Sequence, residues 1–292
     1  MTLNPAYSLR EPLSARVCGA GPGVLLAHGA GSDIADSFGP VTELLARRFT
    51  VVAPDYPGSG ATPEQPVPLD PDALTDQLVD AADRAGQRTF AVVGFSTGSP
   101  VAVRLAVRHP DRVSALVLSA GLAYANPRLR LVVDTWRTLL RSGDHRSLAA
   151  YLVLLGWSAR WLDQRSAPSI AELTAAIPPA LPPGTDAQLD LLSRIDVRAD
   201  LAALRVPTLV IGATQDQVVS PAHADELVAG IPGARLLLLD SGHALAAEVP
   251  DDWAAAIGEF VLGVSSDQPG GSVGREPSVH EGRADQDHLP GR

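Results

Sequence analysis

Gly94-Phe95-Ser96-Thr97-Gly98 is the stretch on which the reading of this chain turns. It follows the apolar run Phe90-Ala91-Val92-Val93. It leads into Ser99 to Val107, where Val101 with Leu105 and Ala102 with Ala106 recur at helical spacing. The five residues therefore stand where a buried strand turns sharply into a helix, the setting of a nucleophile elbow. Such a turn forces its serine toward positive φ, at a cost of about 1–2 kcal/mol for a residue with a Cβ. Gly94 and Gly98 put no side chains into the crowded space around it. The helix that begins at Thr97 points its free N–H groups at whatever Ser96 attacks. A bare Gly-x-Ser-x-Gly also occurs in turns without chemistry, so the rest of the chain must support the reading.

Outward from the elbow, the same alternation recurs. Val24-Leu25-Leu26-Ala27 is a continuous apolar run, as a strand covered on both faces should be, and it ends in His28-Gly29-Ala30-Gly31-Ser32-Asp33. A helical stretch follows with Phe38, Val41, Leu44 and Leu45 on one face. Then come a strand over Phe49 to Ala53, a proline-rich loop, and a helix marked by Leu74, Leu78 and Ala81. Val113 to Leu118 is the strand after the elbow helix. From about 122 to 200 only helices and loops are legible, at Leu129 to Leu140, Leu148 to Leu155 and Ile170 to Ile177. Strands resume at Thr208 to Gly212 and Ala234 to Leu239, and a last helix runs from about Asp252 to Leu262. The pattern predicts an α/β fold with a doubly wound, mostly parallel sheet. The core comprises 1–121 and 201–263, with a helical cap over 122–200 on the carboxyl ends of the strands, where ligands bind. Residues 264–292 are rich in glycine, proline and charge, and read as a disordered tail. The first 20 residues or so read as short edge strands with turns.

Composition narrows the function. The 292 residues carry a net charge of −10, which speaks against nucleic acid or an anionic membrane surface as partner. No apolar run approaches the roughly 20 residues that span a bilayer. No signal peptide is visible at Met1 to Pro5, so the expected compartment is the cytoplasm. Cys18, the single cysteine, permits no internal disulfide and reads as a small buried hydrophobe. The histidines show no metal-ligand spacing, so neither metal nor cofactor is expected.

A serine hydroxyl needs a base, and the base needs an orienting acid. Asp216 follows the strand that ends at Gly212, and His243 follows the last strand, in Ser241-Gly242-His243. Both lie in loops at the edge of the sheet that presents Ser96. The order Ser, Asp, His is the one tied to the elbow. His28 reads as structural, tying down its loop, and Asp55 as a stabiliser of its own turn.

With these residues in view, the chain resembles the α/β-hydrolase superfamily over about residues 20–262. The likeness rests on His28-Gly29-Ala30-Gly31, Asp55-Tyr56-Pro57-Gly58-Ser59-Gly60, the elbow, Val206 to Gly212 with Asp216, and Gly242-His243. It implies Ser96 as nucleophile, His243 as general base and then acid, and Asp216 as the orienting carboxylate. It also implies an oxyanion hole from the backbone N–H groups of Ala30 and Thr97. Ser99 stands where many members carry a second glycine, which loosens the likeness to ring-fission C–C hydrolases. Serine at the elbow sets the chain apart from haloalkane dehalogenases and epoxide hydrolases, which use aspartate there. The expected activity is cofactor-free hydrolysis of a carboxylic ester, thioester or lactone. C–C bond cleavage, acyl transfer or cyclisation on the same triad is the alternative among enzymes, and a ligand-binding pseudoenzyme the alternative outside them.

The cap region holds Trp136, Trp157 and Trp161 in a chain with only 4% aromatic residues. Trp157 and Trp161 are an i, i+4 pair, which on one helix would share a face with Leu154, a face that either packs inward or roofs the pocket over Ser96. Phe95, Trp157 and Trp161 are thus the candidate substrate-binding residues. The expected substrate is an apolar small molecule with an aromatic or polycyclic group.

Overall fold

The computed structural model describes residues 11–65 and 68–266. Its apolar runs form seven strands: β1 (Ala15–Cys18), β2 (Gly23–Ala27), β3 (Thr50–Pro54), β4 (Phe90–Phe95), β5 (Val113–Ser119), β6 (Thr208–Ala213) and β7 (Arg235–Leu239). They lie in one sheet in the order β1-β3-β2-β4-β5-β6-β7. Only β1, at an edge, runs antiparallel to its neighbour. Every residue of β2, β4 and β6 is buried, because helices cover both faces of a parallel sheet.

On one face, Leu25, Val92 and Leu116 pack with the helices Pro71–Arg84, Gly98–Arg108 and Ala222–Gly230. On the other, Val24, Val93 and Val117 pack with Pro40–Ala46 and the final helix Pro250–Ser266. The helix expected after β2 is two: Gly39, at φ 42°, ends Ile34–Phe38, and Pro40 opens the next as its first residue. The final helix runs to Ser266, so its last turn includes the start of the stretch read as tail. The remainder of that stretch lies outside the described residues. Cys18 is half-buried at the end of β1, and burial pushes its thiol above its ordinary value.

Between β5 and β6 the chain forms helices only: Pro127–Ser142, His145–Gly156, Ala159–Asp163, Ala167–Ala180, Thr185–Arg194 and Arg198–Leu201. Leu129, Val132, Val133, Leu189 and Leu192 give this block a small core of its own, closed underneath by Val219. The chain leaves and re-enters the sheet through one joint, where Tyr124 bridges Asp196 and Val197 N–H donates to the Ala123 carbonyl.

Candidate active site

The elbow owes its shape to close backbone approach. Ser96 sits at φ 52°, in the left-handed region, with its N–H bonded to the Ser119 carbonyl of β5. A Cβ on Gly94 would lie 2.4 Å from the Gly98 carbonyl oxygen, and one on Gly98 would lie 2.0 Å from that of Ala27 in β2. Neither position admits another residue without moving the sheet. Ser99 has a use here: its hydroxyl donates to the Gly94 carbonyl at 3.0 Å and fills the space above Gly121.

Loops at the carboxyl ends of β6 and β7 bring the other two residues to Ser96. His243 Nε2 lies 3.0 Å from Ser96 Oγ, and His243 Nδ1 lies 2.6 Å from Asp216 Oδ2. Asp216 is buried, and its other oxygen accepts the N–H groups of Val218 and Val219, both at 2.8 Å. That anchoring leaves Oδ2 to receive the Nδ1 proton, so Nε2 is the ring nitrogen able to take a proton from Ser96. The His243 ring rests against Phe95, 5.1 Å between centroids. Phe95 is backed by Trp253, whose indole N–H donates to Ser119 Oγ.

Ala30 and Thr97 both line the cavity beside Ser96, and their backbone N–H groups have no hydrogen-bond partner among the described residues. The loop that carries Ala30 is held from two sides. Beneath it, His28 is fully buried, with Nδ1 donating to the Gly29 carbonyl and Nε2 accepting the Tyr56 N–H, both at 2.8 Å. Burial drives its pKa down to about 4, so the ring is neutral. Asp55 reaches beyond its own turn and accepts the Ile34 N–H. Above the loop, Gln188 of the helix Thr185–Arg194 accepts the Gly31 N–H at 2.9 Å and donates to Ser59 Oγ at 2.7 Å. Glu248 does similar work near His243. It accepts the Gly242 N–H, together with the N–H and hydroxyl of Ser158 from the cap. Sequence reasoning passed over Gln188 and Glu248.

The cavity over Ser96 measures about 190 Å³. Trp136, Leu152, Trp157, Ile177 and Leu181 form its cap-side wall, and Phe95 and His243 lie opposite. Asp36 stands at its edge, exposed to solvent and beside Asp33. Trp157 and Trp161 do not share a helix. Trp157 ends His145–Gly156 in extended conformation, and Ser158 caps a new helix that contains Trp161. Trp161 lies outside the lining of the cavity, with the Arg165 guanidinium 3.8 Å from its ring centre. Leu154, 67% exposed, faces solvent. Trp136 takes the place foreseen for Trp161, its ring packed on Gly31.

Among the described residues no group of three His, Cys, Asp or Glu side chains is arranged to hold a metal. No helix among them is long and apolar enough to cross a membrane.

Comparison with known proteins agrees with this architecture. The family model for the alpha/beta hydrolase fold matches residues 22–249. A pyrrolizixenacetamide deacetylase from Xenorhabdus hominickii is 32% identical over 253 residues, which cover 86% of this chain and 94% of that protein. A pimeloyl-[acyl-carrier protein] methyl ester esterase from Neisseria meningitidis is 29% identical, over 92% of this chain and 86% of its own. Among solved structures, a thermophilic esterase from Thermogutta terrifontis superposes with a TM-score of 0.75 at 26% identity, covering 86% of this chain and 93% of that one. The family match spans most of the sheet and all three loops that meet at Ser96, and the chain belongs to the α/β-hydrolase family, an enzyme of the hydrolase type.

Proposed function

We propose that this protein is a serine hydrolase that cleaves carboxylic esters, thioesters or lactones of small apolar molecules with its own side chains alone. The observation that carries this reading is the continuous chain Ser96 Oγ, His243 Nε2, His243 Nδ1, Asp216 Oδ2, joined at 3.0 and 2.6 Å. Ser96 attacks the carbonyl carbon as His243 takes its proton, and the buried Asp216 stabilises the imidazolium that forms. The free N–H groups of Ala30 and Thr97 receive the oxyanion, and the start of the helix behind Thr97 adds its dipole. His243 then returns the proton to the leaving oxygen or sulfur. Water, activated by the same ring, releases the acid and restores Ser96.

The size of the cavity narrows the substrate. At about 190 Å³ it is close to an engineered cavity of about 150 Å³ that encloses one benzene ring. A short aliphatic or single-ring group therefore fits it better than the polycyclic group expected from the tryptophans. The deacetylase relative supports a second reading, in which the leaving atom is the nitrogen of an acetamide.

A fluorophosphonate probe tests the first reading. It should label wild type at Ser96 and leave Ser96→Ala and His243→Ala unlabelled. Wild-type protein that stays unlabelled while folded would reject it. Turnover of matched phenyl acetate and acetanilide then separates oxygen from nitrogen leaving groups.

A further inference from the structure

The wall of the cavity beside Ser96 holds polar atoms that the triad does not use. Buried side-chain nitrogen and oxygen atoms nearly always have a hydrogen-bond partner in a folded protein, because a bond left unmade there costs the desolvation of the group. Among the described residues eight such atoms have no partner, and three of them belong to residues that line this one cavity: Thr97 Oγ1, Trp136 Nε1 and Trp157 Nε1. Thr97 is 1% exposed and stands at the N-cap of the helix Gly98–Arg108, yet its hydroxyl caps nothing. The other hydroxyls of the wall are satisfied, Ser32 and Ser37 by each other and Ser96 by His243. Trp136 also shows a direction. A Cβ built on Gly31 would meet its Cζ2 and Cη2 at 2.5 and 2.8 Å, and these atoms lie on the edge of the indole that carries Nε1. The N–H edge of Trp136 is therefore turned toward the loop of Ala30. Orphan atoms gathered on one wall mark a place where the missing partner is the substrate.

The chemistry of the orphans defines that partner. A threonine hydroxyl can give or accept a hydrogen bond, but an indole N–H only gives one, so both tryptophans call for an acceptor. A carboxylate would find no counter-charge here. Among the described residues no arginine lines the cavity, and the carboxyl of Asp36 stands at its edge. Resting on the reading of this cavity as the substrate site of a hydrolase, we propose that the substrate carries a second, neutral carbonyl oxygen, received by the indole N–H groups of Trp136 and Trp157. The substrate class is then a short keto ester, keto thioester or keto lactone. A plain hydrocarbon chain would leave both donors unpaired, and a site built to bond a polar group discriminates against the analogue that lacks it.

Titration calorimetry on the full chain carrying Ser96→Ala, which binds esters without cleaving them, tests the proposal. The ligands are ethyl pentanoate, ethyl 4-oxopentanoate and monoethyl glutarate, whose acyl chains are equal in length. In a wholly apolar cavity the keto ester binds more weakly than the pentanoate, because its ketone gives up water and gains no partner. The expected result is the reverse: the keto ester binds about tenfold more tightly than the pentanoate, and the glutarate binds most weakly. Adding Trp136→Phe and Trp157→Phe keeps both rings in place of the indoles, removes both donors and should return the order to that of an apolar cavity. A keto ester that binds no more tightly than the pentanoate overturns the proposal. So does a preference that survives in the folded double-phenylalanine protein, or a glutarate that binds most tightly. Where the double variant fails to fold, the first comparison decides alone. The hydrolase reading fails separately. Wild type that turns over neither ethyl ester and escapes the fluorophosphonate rejects that reading, and the order of binding still decides the proposal. Wild type that cleaves both esters and favours the pentanoate keeps the reading and overturns the proposal.

Discussion

Ser96 and Gly31 line the same cavity, but they are fixed by different forces. Ser96 is set by repulsion: Gly94, Gly98 and Ala27 approach so closely that the backbone has no other route. Nothing from the cap is needed for that. Gly31, next to the expected oxyanion donor Ala30, is set by attraction, through one hydrogen bond to Gln188 of the cap and the Trp136 ring laid across it. Gly242, next to His243, is tied through Glu248 to Ser158 of the cap in the same way. The proposed nucleophile is thus held by the sheet alone, whereas the proposed donors and base borrow order from the helical block between β5 and β6. A disturbance of the cap should therefore lower catalysis while Ser96 stays in place.

The largest effect expected separates chemistry from scaffolding. Ser96→Ala should lower ester turnover by about a million-fold with an unchanged melting temperature, because only the attacking atom is lost. Gly98→Ala should lower activity by lowering stability, since its Cβ would meet the Ala27 carbonyl at 2.0 Å. Kinetics and thermal melts on both variants decide the matter. A Gly98→Ala protein with wild-type melting would show that the elbow is not set by sterics.

Acid should reach the loop of the proposed oxyanion donor Ala30 from beneath. The folded pKa of His28, about 4, lies below its ordinary 6.5, so the unfolded chain takes up the proton first. Stability from the neutral ring is complete above about pH 6.5 and is lost as pH falls toward 4. The loss is about 3 kcal/mol for such a shift. Urea unfolding across that window should show a steeper decline for wild type than for His28→Asn. Equal slopes would mean that His28 is not held neutral.

From above, the cap's grip is smaller. Gln188→Leu leaves the Gly31 N–H without its acceptor, a change of about 1–3 kcal/mol at a buried site. We expect kcat to fall about ten- to hundred-fold, in line with that range, and KM to change little. Gln188→Glu keeps an acceptor for Gly31 and should recover part of the loss. A KM effect with kcat intact would place Gln188 in substrate binding instead.

These differences also decide what the sequence could reveal. Ser96, Asp216 and His243 were legible because each follows an apolar run, and strand ends in a parallel sheet converge on one edge. Gly94 and Gly98 were legible because their constraint is local. Gln188 and Glu248 were not. Gly31 is 157 positions from Gln188 and Ser158 is 90 from Glu248, and a lone Gln or Glu carries no periodic signal. The tryptophan pair misled for a local reason. An i, i+4 spacing places two residues on one face only within one helix, and Ser158, a capping residue type, begins a new one between them. Gly39-Pro40 broke the helix after β2 by comparable punctuation.

The smallest effect concerns the cap wall, and it sharpens the contrast between Trp157 and Trp161. Their rings lie 6.0 Å apart, so a general loosening of the cap would touch both. Only Trp157 borders the cavity, while Trp161 packs under Arg165. Trp157→Ala removes apolar wall from the bound acyl or alcohol group. If about 1 kcal/mol of contact is lost, KM for a butyrate or benzoate ester rises about fivefold. The acetate ester, too short to use that wall, should keep its KM. Trp161→Ala should change neither value and lower the melting temperature slightly. Michaelis constants for the acetate and benzoate esters of one alcohol, measured on both variants, provide the check. A KM rise for benzoate in Trp161→Ala equal to that in Trp157→Ala would show that the two rings act as one structural unit, and that position along the wall does not select the substrate.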